Sequence, residues 1–82
     1  MPTETFMNLA EEKRQAFIQT ALKEFADNNY DSASINKIIK ELNIARGSVY
    51  QYFTDKLDLW LYLKEYAETQ KVKHIQSIDR NQ

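Results

Sequence analysis

With 82 residues the chain is long enough for one small domain, and its formal net charge of −1 gives no overall attraction to anions. The absence of cysteine excludes a disulfide framework, a thiolate zinc site and a catalytic thiol, and the single histidine, His74, cannot build a histidine metal site. No apolar run approaches the roughly 18 residues of a membrane span, and residues 1–10 lack the pattern of a signal peptide. We therefore expect a cytoplasmic protein without membrane segment, metal or cofactor.

Turn-forming residues are scarce, since the chain contains one glycine and one proline, which argues against strands and hairpins. Residues 1–8 show no periodicity and are predicted to form a flexible arm. Asn8 is a candidate cap of the first helix, with Glu11 three residues later as in a capping box. This helix is expected to end near Asp27. Its apolar residues recur every three or four positions: Phe17, Ile18, Ala21, Leu22, Phe25 and Ala26.

The second and third predicted helices are short and close together. Ser34 is the candidate cap of the second helix, about residues 34–42, and Asn43 suits the left-handed position that ends it. The third helix is expected over about residues 45–53. Their lengths and the short turn between them are typical of a helix-turn-helix.

The fourth predicted helix begins after Thr54 or Asp55, either of which can cap it. On one side of it lie Leu59, Trp60, Leu63, Tyr66 and Ala67. A weaker apolar spacing continues through Val72, Ile75 and Ile78. The prediction is an all-α fold, a three-helix bundle with a homeodomain-like helix-turn-helix plus a longer fourth helix. Residues 9–66 form the domain and residues 67–82 a helical extension.

Charge is unevenly distributed along the chain. Residues 34–56 contain four basic and two acidic side chains, whereas residues 1–33 contain three basic and six acidic ones. Residues 57–82 contain four of each sign. The only net-positive stretch therefore surrounds the second and third predicted helices, and a local positive charge favours contact with phosphate groups.

The third helix has two chemically different sides. Ala45, Val49 and Tyr52 or Phe53 share the side that is predicted to join the core. The other side presents one cation, one bare backbone position, one phenol and one amide, which are Arg46, Gly47, Tyr50 and Gln51. Arginine can bond guanine O6 and N7, and glutamine can bond adenine N6 and N7. This side has the chemistry that reads base edges.

Neighbouring groups suit phosphates. The hydroxyls of Ser48, Tyr50 and Tyr52 can donate to phosphate oxygens, which set register on DNA without reading sequence. Lys56 places a positive charge in the first turn of the fourth helix, where the helix dipole disfavours it. A phosphate contact would account for a lysine at this position. Each residue alone also has a structural explanation, and Gly47 alone also fits a chain break. It is the combination at these spacings that favours nucleic acid.

The stretch FADNNYDSASINKIIKELNIARGSVYQYFTDKLDL, residues 25–59, resembles the DNA-binding domain of TetR/AcrR-type bacterial transcriptional regulators. The resemblance covers about residues 9–66, and its GSVYQYF…K…L portion is the most specific part. The matching positions are Tyr30, Ser34, Ile38, Ile44, Arg46, Gly47, Ser48, Val49, Tyr50, Tyr52, Phe53, Lys56 and Leu59. Asn29 and Asn43 stand where the family usually has glycine, and both tolerate the left-handed conformation. Ala45 replaces a frequent hydroxyl residue, so a cap worth about 1 kcal/mol is lost.

The resemblance implies that the third helix is a recognition helix that enters the major groove of double-stranded operator DNA. Arg46 and Gln51 are then the expected base readers. Tyr50 contacts a sugar, a thymine methyl or a phosphate, and Gly47 lets the groove approach the backbone closely. Phosphates are expected to be held by Ser34, Lys37, Ser48, Tyr52 and Lys56. The expected core consists of Phe17, Leu22, Phe25, Ile38, Val49, Phe53 and Trp60.

The resemblance further implies a homodimeric repressor whose C-terminal domain dimerises and binds a small-molecule inducer. That domain is not among these 82 residues, and the sequence leaves open whether the chain is a reading head alone, a truncated product or the ordered part of a longer protein. A helix-turn-helix-like module that binds protein instead of DNA stays open, because the net charge is negative. No enzyme is predicted, since Glu11, Glu12 and His74 form no convergent set of nucleophile, base and orienting group.

Overall fold

The computed structural model describes the backbone of residues 2–80 and the side chains of residues 2–70. Over this range the chain is all-helical, with helices α1 (Glu4–Met7), α2 (Glu11–Asp27), α3 (Ile35–Leu42), α4 (Arg46–Tyr52) and α5 (Lys56–Arg80). Helices α2 to α5 are the first to fourth predicted helices, so the predicted fold class is confirmed. No helix in the described range is both long and apolar enough to cross a membrane.

A single core lies between the helices. Its fully buried members are Phe6, Phe17, Ile18, Ala21, Ile38, Val49, Phe53, Leu59 and Leu63. The predicted core residues Leu22 and Phe25 are partly buried and pack against this cluster. The predicted stripe of Val72, Ile75 and Ile78 lies outside the described side chains. Burial of each large apolar side chain contributes about 1.5–3 kcal/mol, so these few residues supply most of the cohesion of the domain.

The prediction that Trp60 belongs to the core is wrong. Its side chain is half-buried, and its ring meets Tyr30 edge-on at a centroid distance of 5.7 Å. The Nζ atom of Lys64 lies 5.4 Å from the ring centroid. The central positions of α5 are taken by Leu59 and Leu63, which are four residues apart and buried. A helical residue next to Leu59 points about 100° away, so Trp60 covers the side of the bundle instead.

The N-terminal residues differ from the flexible arm that their sequence suggests. They form the one-turn helix α1, and Phe6 is 0% exposed. The Phe6 ring lies 5.1–5.7 Å, between centroids, from the rings of Phe17, Tyr52, Phe53 and Tyr62. A lone aromatic residue has no periodic apolar neighbours, so sequence periodicity could not detect this burial.

Asn8 does not cap α2, contrary to prediction. The helix begins at Glu11 with Ala10 at the N-cap position and no side-chain cap. Asn8 instead ends α1, where its backbone N–H donates to the Glu4 carbonyl at 2.8 Å. The start of α2 is stabilised by Glu11 and Glu12, whose negative charge in the first turn suits the helix dipole.

Candidate nucleic-acid interface

Helix α3 is closed at both ends by its own residues, as predicted. The Ser34 hydroxyl accepts from the backbone N–H of Lys37 at 3.3 Å. At the other end Asn43 adopts the left-handed conformation, with φ 56° and ψ 46°. The N–H of Asn43 donates to the Lys40 carbonyl and that of Ile44 to the Ile39 carbonyl, both at 3.3 Å, which is a Schellman motif. The turn that follows directs the chain into α4.

The loop before α3 is organised by side chains. Asn29 does not adopt the left-handed conformation, since Asn43 is the one non-glycine residue with positive φ in the described chain. The Asn29 side-chain oxygen instead accepts from the N–H of Ser32, three residues later, at 2.9 Å. A carboxylate oxygen of Glu24, on α2, accepts from the N–H of Ser34 at 2.9 Å. Glu24 thereby fixes the start of α3.

Helix α4 presents the two sides that the sequence predicts. Val49 and Phe53 are each 1% exposed and belong to the core. The opposite side carries the exposed residues Arg46, Gly47, Tyr50 and Gln51. Tyr50 is 47% exposed, which is unusual for a large aromatic side chain of a small domain. Ala45 is exposed, so its predicted place on the core side is wrong, and as expected it provides no side-chain cap for α4.

Gly47 has no structural reason to be glycine. Its φ is not positive, so the backbone does not require it. A Cβ atom built at this position meets nothing within 4 Å, so packing does not require it either. Glycine costs about 1 kcal/mol relative to alanine in a helix interior and less in the first turn, where Gly47 lies. The bare position therefore lowers the stability of α4 without any benefit to the described fold.

Ser48 and Tyr52 lie on a different side of α4 from these exposed residues. Both are half-buried and line a groove between α4 and α2, to which Leu9, Lys13 and Leu42 also contribute. The Tyr52 ring packs against Phe6 and Phe17, with centroid distances of 5.5 and 5.6 Å. Ser48 and Tyr52 therefore lie at the edge of the exposed side of α4 and not at its centre. Their contact with phosphate stays a prediction.

Lys56 has contacts within the fold that its sequence position does not reveal. Its Nζ atom lies 4.6 Å from the centroid of the Tyr30 ring and donates to the Asp31 carbonyl at 3.5 Å. These contacts join the start of α5 to the α2–α3 loop and explain a cation in an unfavourable first turn. An ammonium group has three donors, so Lys56 keeps the capacity to bind a phosphate.

The start of α5 is capped by Asp55, one of the two predicted residues. A carboxylate oxygen of Asp55 accepts from the Asp58 N–H at 2.8 Å, and a carboxylate oxygen of Asp58 accepts from the Thr54 N–H at 3.0 Å. This reciprocal pair satisfies two donors, in the manner of a capping box. It fixes the direction in which the chain leaves α4 and enters α5.

Ser34 and Lys37 lie at the start of α3, the first helix of the helix-turn-helix. Lys37 is exposed, and Ser34 is half-buried. Because the Ser34 oxygen acts as an acceptor in its cap, the hydroxyl hydrogen is free to donate to a further group. The capping role and the predicted phosphate role of Ser34 are therefore compatible.

Sequence reasoning missed Thr3, which contacts α4 directly. Its hydroxyl donates to the Gln51 carbonyl at 2.6 Å, and its backbone N–H donates to the Tyr52 carbonyl at 3.0 Å. The same hydroxyl oxygen accepts from the N–H of Phe6 as the N-cap of α1. The only sequence signal was a threonine followed by an acidic residue, which is a common start of a helix.

Comparisons with known proteins agree with this geometry. Residues 17–63 match the family model of bacterial regulatory proteins, tetR family. The uncharacterized HTH-type transcriptional regulator YuxN of Bacillus subtilis is 44% identical over 55 residues, which are 67% of this chain and 19% of that protein. The HTH-type transcriptional regulator HbdR of an Aromatoleum species is 40% identical over 62 residues, 74% of this chain and 27% of that protein.

A solved structure shows the same fold. A TetR family transcriptional regulator from Chloroflexus aurantiacus superposes with a TM-score of 0.88 and 53% sequence identity, covering 94% of this chain and 36% of the other. The chain thus spans only 19–36% of the length of these relatives. Because the family model covers more than half of the 82 residues, this chain belongs to the tetR family of bacterial regulatory proteins.

Proposed function

We propose that this chain is the operator-reading domain of a cytoplasmic, homodimeric transcriptional repressor. Helix α4 enters the major groove, where Arg46 and Gln51 read base edges and Tyr50 contacts a sugar, a thymine methyl or a phosphate. Phosphate contacts come from Ser34, Lys37, Ser48, Tyr52 and Lys56. In the full-length protein, a further domain supplies dimerisation and a site for a small-molecule inducer.

The observation that carries this proposal is the exposed glycine in the first turn of α4. Gly47 lies in open space between the side chains that can recognise bases, and neither backbone conformation nor packing requires it. A bare backbone lets the wall of a groove approach the helix, which a longer side chain would prevent. The surrounding net-positive stretch, residues 34–56, supports an anionic partner in a chain whose total charge is negative.

The test is selection of bound sequences from random double-stranded DNA, followed by affinity measurements over a salt series. We expect an enriched half-site, and an affinity that falls with a slope of about −0.9 in log K against log salt for each phosphate contact. A single head binds weakly, so the chain is assayed in parallel as a fusion to a dimeric coiled coil, which raises the effective concentration of the second head. Absence of enrichment in both formats would favour the protein-binding module.

Arg46→Ala tests the assignment of the base readers. We expect the preference at one base pair of the selected site to relax by roughly 1–3 kcal/mol, while other positions keep their preference. Lys23→Ala is the matched control, because Lys23 is an exposed cation on α2 and its loss changes the net charge equally. If both variants bind every sequence like the parent chain, Arg46 does not read a base.

A further inference from the structure

We propose that residues 3–9, here called the N-terminal clamp, hold the recognition helix α4 in its reading orientation, with Thr3 and Phe6 as positioning residues. The inference deepens the proposed function and rests on it for its DNA-binding part. It concerns a segment that precedes residues 17–63, the part of the chain that matches the family model.

The clamp first bonds the end of α4. The last carbonyls of any helix have no partner within the helix. In α4 two of them, those of Gln51 and Tyr52, accept from the hydroxyl and the backbone N–H of Thr3 at 2.6 and 3.0 Å. Both distances are those of well-formed hydrogen bonds. Thr3 thus acts as a C-terminal cap that is supplied from outside the helix.

The clamp also packs against the same end of α4. The fully buried Phe6 ring lies 5.5 Å from the Tyr52 ring and 5.1 Å from the Phe53 ring, measured between centroids. It reaches Phe17 on α2 and Tyr62 on α5 as well, at 5.6 and 5.7 Å. One side chain therefore ties the end of α4 to the two longest helices.

The clamp is also hydrogen-bonded to α2. Arg14 Nη1 donates to the Met7 carbonyl at 3.0 Å and to the Leu9 carbonyl at 3.1 Å. Arg14 lies on α2, so these bonds anchor the end of the clamp that is remote from Thr3. The clamp is therefore bonded to α4 at one end and to α2 at the other, so it fixes the end of α4 relative to α2.

Helix α4 needs such support. It has seven residues, a glycine in its first turn and no side-chain N-cap, and helices this short are marginal on their own. Its proposed base reader Gln51 is in its last turn, and the carbonyl of Gln51 accepts from the Thr3 hydroxyl. Loss of the bond frees the backbone that carries a base-reading side chain, so base reading suffers before the fold does.

The experiment compares three substitutions in the full chain, with any purification tag placed at the C-terminal end. Thr3→Val removes the hydroxyl and keeps the shape, Thr3→Ser keeps the hydroxyl, and Thr5→Val makes the same change at an exposed threonine of α1. Two quantities are measured well below the unfolding midpoint of every variant. One is affinity for the selected DNA site, and the other is amide hydrogen exchange in α3 and α4 without DNA.

We expect Thr3→Val to lower DNA affinity about three- to tenfold, because the hydroxyl loses its bond to the Gln51 carbonyl and its cap bond from the Phe6 N–H. Amide exchange should accelerate at the end of α4, including the Phe53 N–H that donates to Val49, and stay unchanged in α3. Thr3→Ser should match the parent chain in both measurements, and so should Thr5→Val.

The alternatives are distinguishable. If amide exchange at the end of α4 is unchanged in Thr3→Val, the Thr3 hydroxyl does not hold α4 and the clamp proposal is wrong. If exchange is faster but DNA affinity is unchanged, the clamp holds α4 without positioning it for DNA, and the positioning role is wrong. An equal loss of affinity in Thr5→Val also overturns the positioning role, because that substitution leaves the bonds to α4 intact. If the parent chain binds no DNA in any format, the proposed function fails, and the exchange measurement still decides whether Thr3 holds α4.

Discussion

Helices α3 and α4 are neighbours in the helix-turn-helix, but their ends are stabilised in different ways. Helix α3 is closed by local residues, with Ser34 as its cap and Asn43 as its left-handed end. Helix α4 has no side-chain cap at its start, and its end is bonded by Thr3, which is 48 residues from Gln51 in sequence. The caps of α3 are thus local, with one added bond from Glu24 on α2, whereas the proposed recognition helix α4 depends on contacts from distant residues. The α4 side chains that are proposed to read DNA, those of Arg46, Tyr50 and Gln51, are exposed.

The largest expected effect is that of removing the tertiary support. Phe6→Ala should lower the free energy of unfolding by about 3–5 kcal/mol, the usual loss for a buried aromatic ring. A domain of this size has only about 5–15 kcal/mol in total, so denaturant midpoints will show the change clearly. Phe6→Leu, which keeps most of the apolar volume, should cost much less. A cost below 1 kcal/mol for Phe6→Ala would mean that α4 does not depend on the N-terminal residues.

A smaller effect is expected on the outward side of α4, where stability and binding should change in opposite directions. Gly47→Leu adds a side chain in open space and should stabilise the fold by at most about 0.5–1 kcal/mol, the helix-interior value, because Gly47 is in the first turn of α4. The same side chain should hold the groove away and reduce DNA affinity about 10- to 100-fold, as overpacking does. Thermal unfolding and DNA titration check the pair. Gly47→Ala should give the same stabilisation with a smaller loss of affinity.

If Gly47→Leu binds DNA as well as the parent chain while its unfolding midpoint rises, the glycine has no role in recognition. The outward side of α4 would then not lie against DNA, and the contrast with α3 would be one of stability alone.

The end of α3 should be sensitive to backbone conformation. Asn43→Ala should cost about 1–2 kcal/mol, because the left-handed conformation brings Cβ close to a carbonyl oxygen. Asn43→Gly should recover that loss. Asn36→Ala is the control, since Asn36 is exposed within α3 and alanine is the better helix former. Equal stability of Asn43→Ala and the parent chain, in urea unfolding, would contradict the view that α3 is specified locally.

The smallest expected loss of stability is at Ser34, where two substitutions separate the capping role from the phosphate role. Ser34→Ala should cost about 1 kcal/mol through the lost cap and should also weaken DNA binding. Ser34→Asp retains an acceptor for the Lys37 N–H, so the unfolding midpoint should recover part of the loss, the rest being offset by repulsion from the Glu24 carboxylate beside the backbone N–H of residue 34. Its negative charge should repel a phosphate, and DNA affinity should stay low. Full recovery of affinity in Ser34→Asp would exclude a phosphate contact at this position.

Much of the fold is readable from local signals. Apolar spacing predicted α2 to α5, and the two caps of α3 were predicted from residue types whose side chains bond or tolerate the backbone there. The division of α4 into a core side with Val49 and an exposed side with Arg46, Gly47 and Tyr50 followed from helical geometry. These features depend on residues at most four positions apart, which is the range that sequence patterns describe.

Tertiary structure alone decided the rest. Phe6 is a core residue because rings from three other helices surround it, and no periodicity marks a lone aromatic. Trp60 lies at the side because Leu59 takes the central position of its turn. The Nζ atom of Lys56 donates to the carbonyl of Asp31, which lies 25 residues earlier in the α2–α3 loop. Such contacts join distant parts of the chain, so residue types could suggest the proposed reading surface of α4 but not the N-terminal residues that support it.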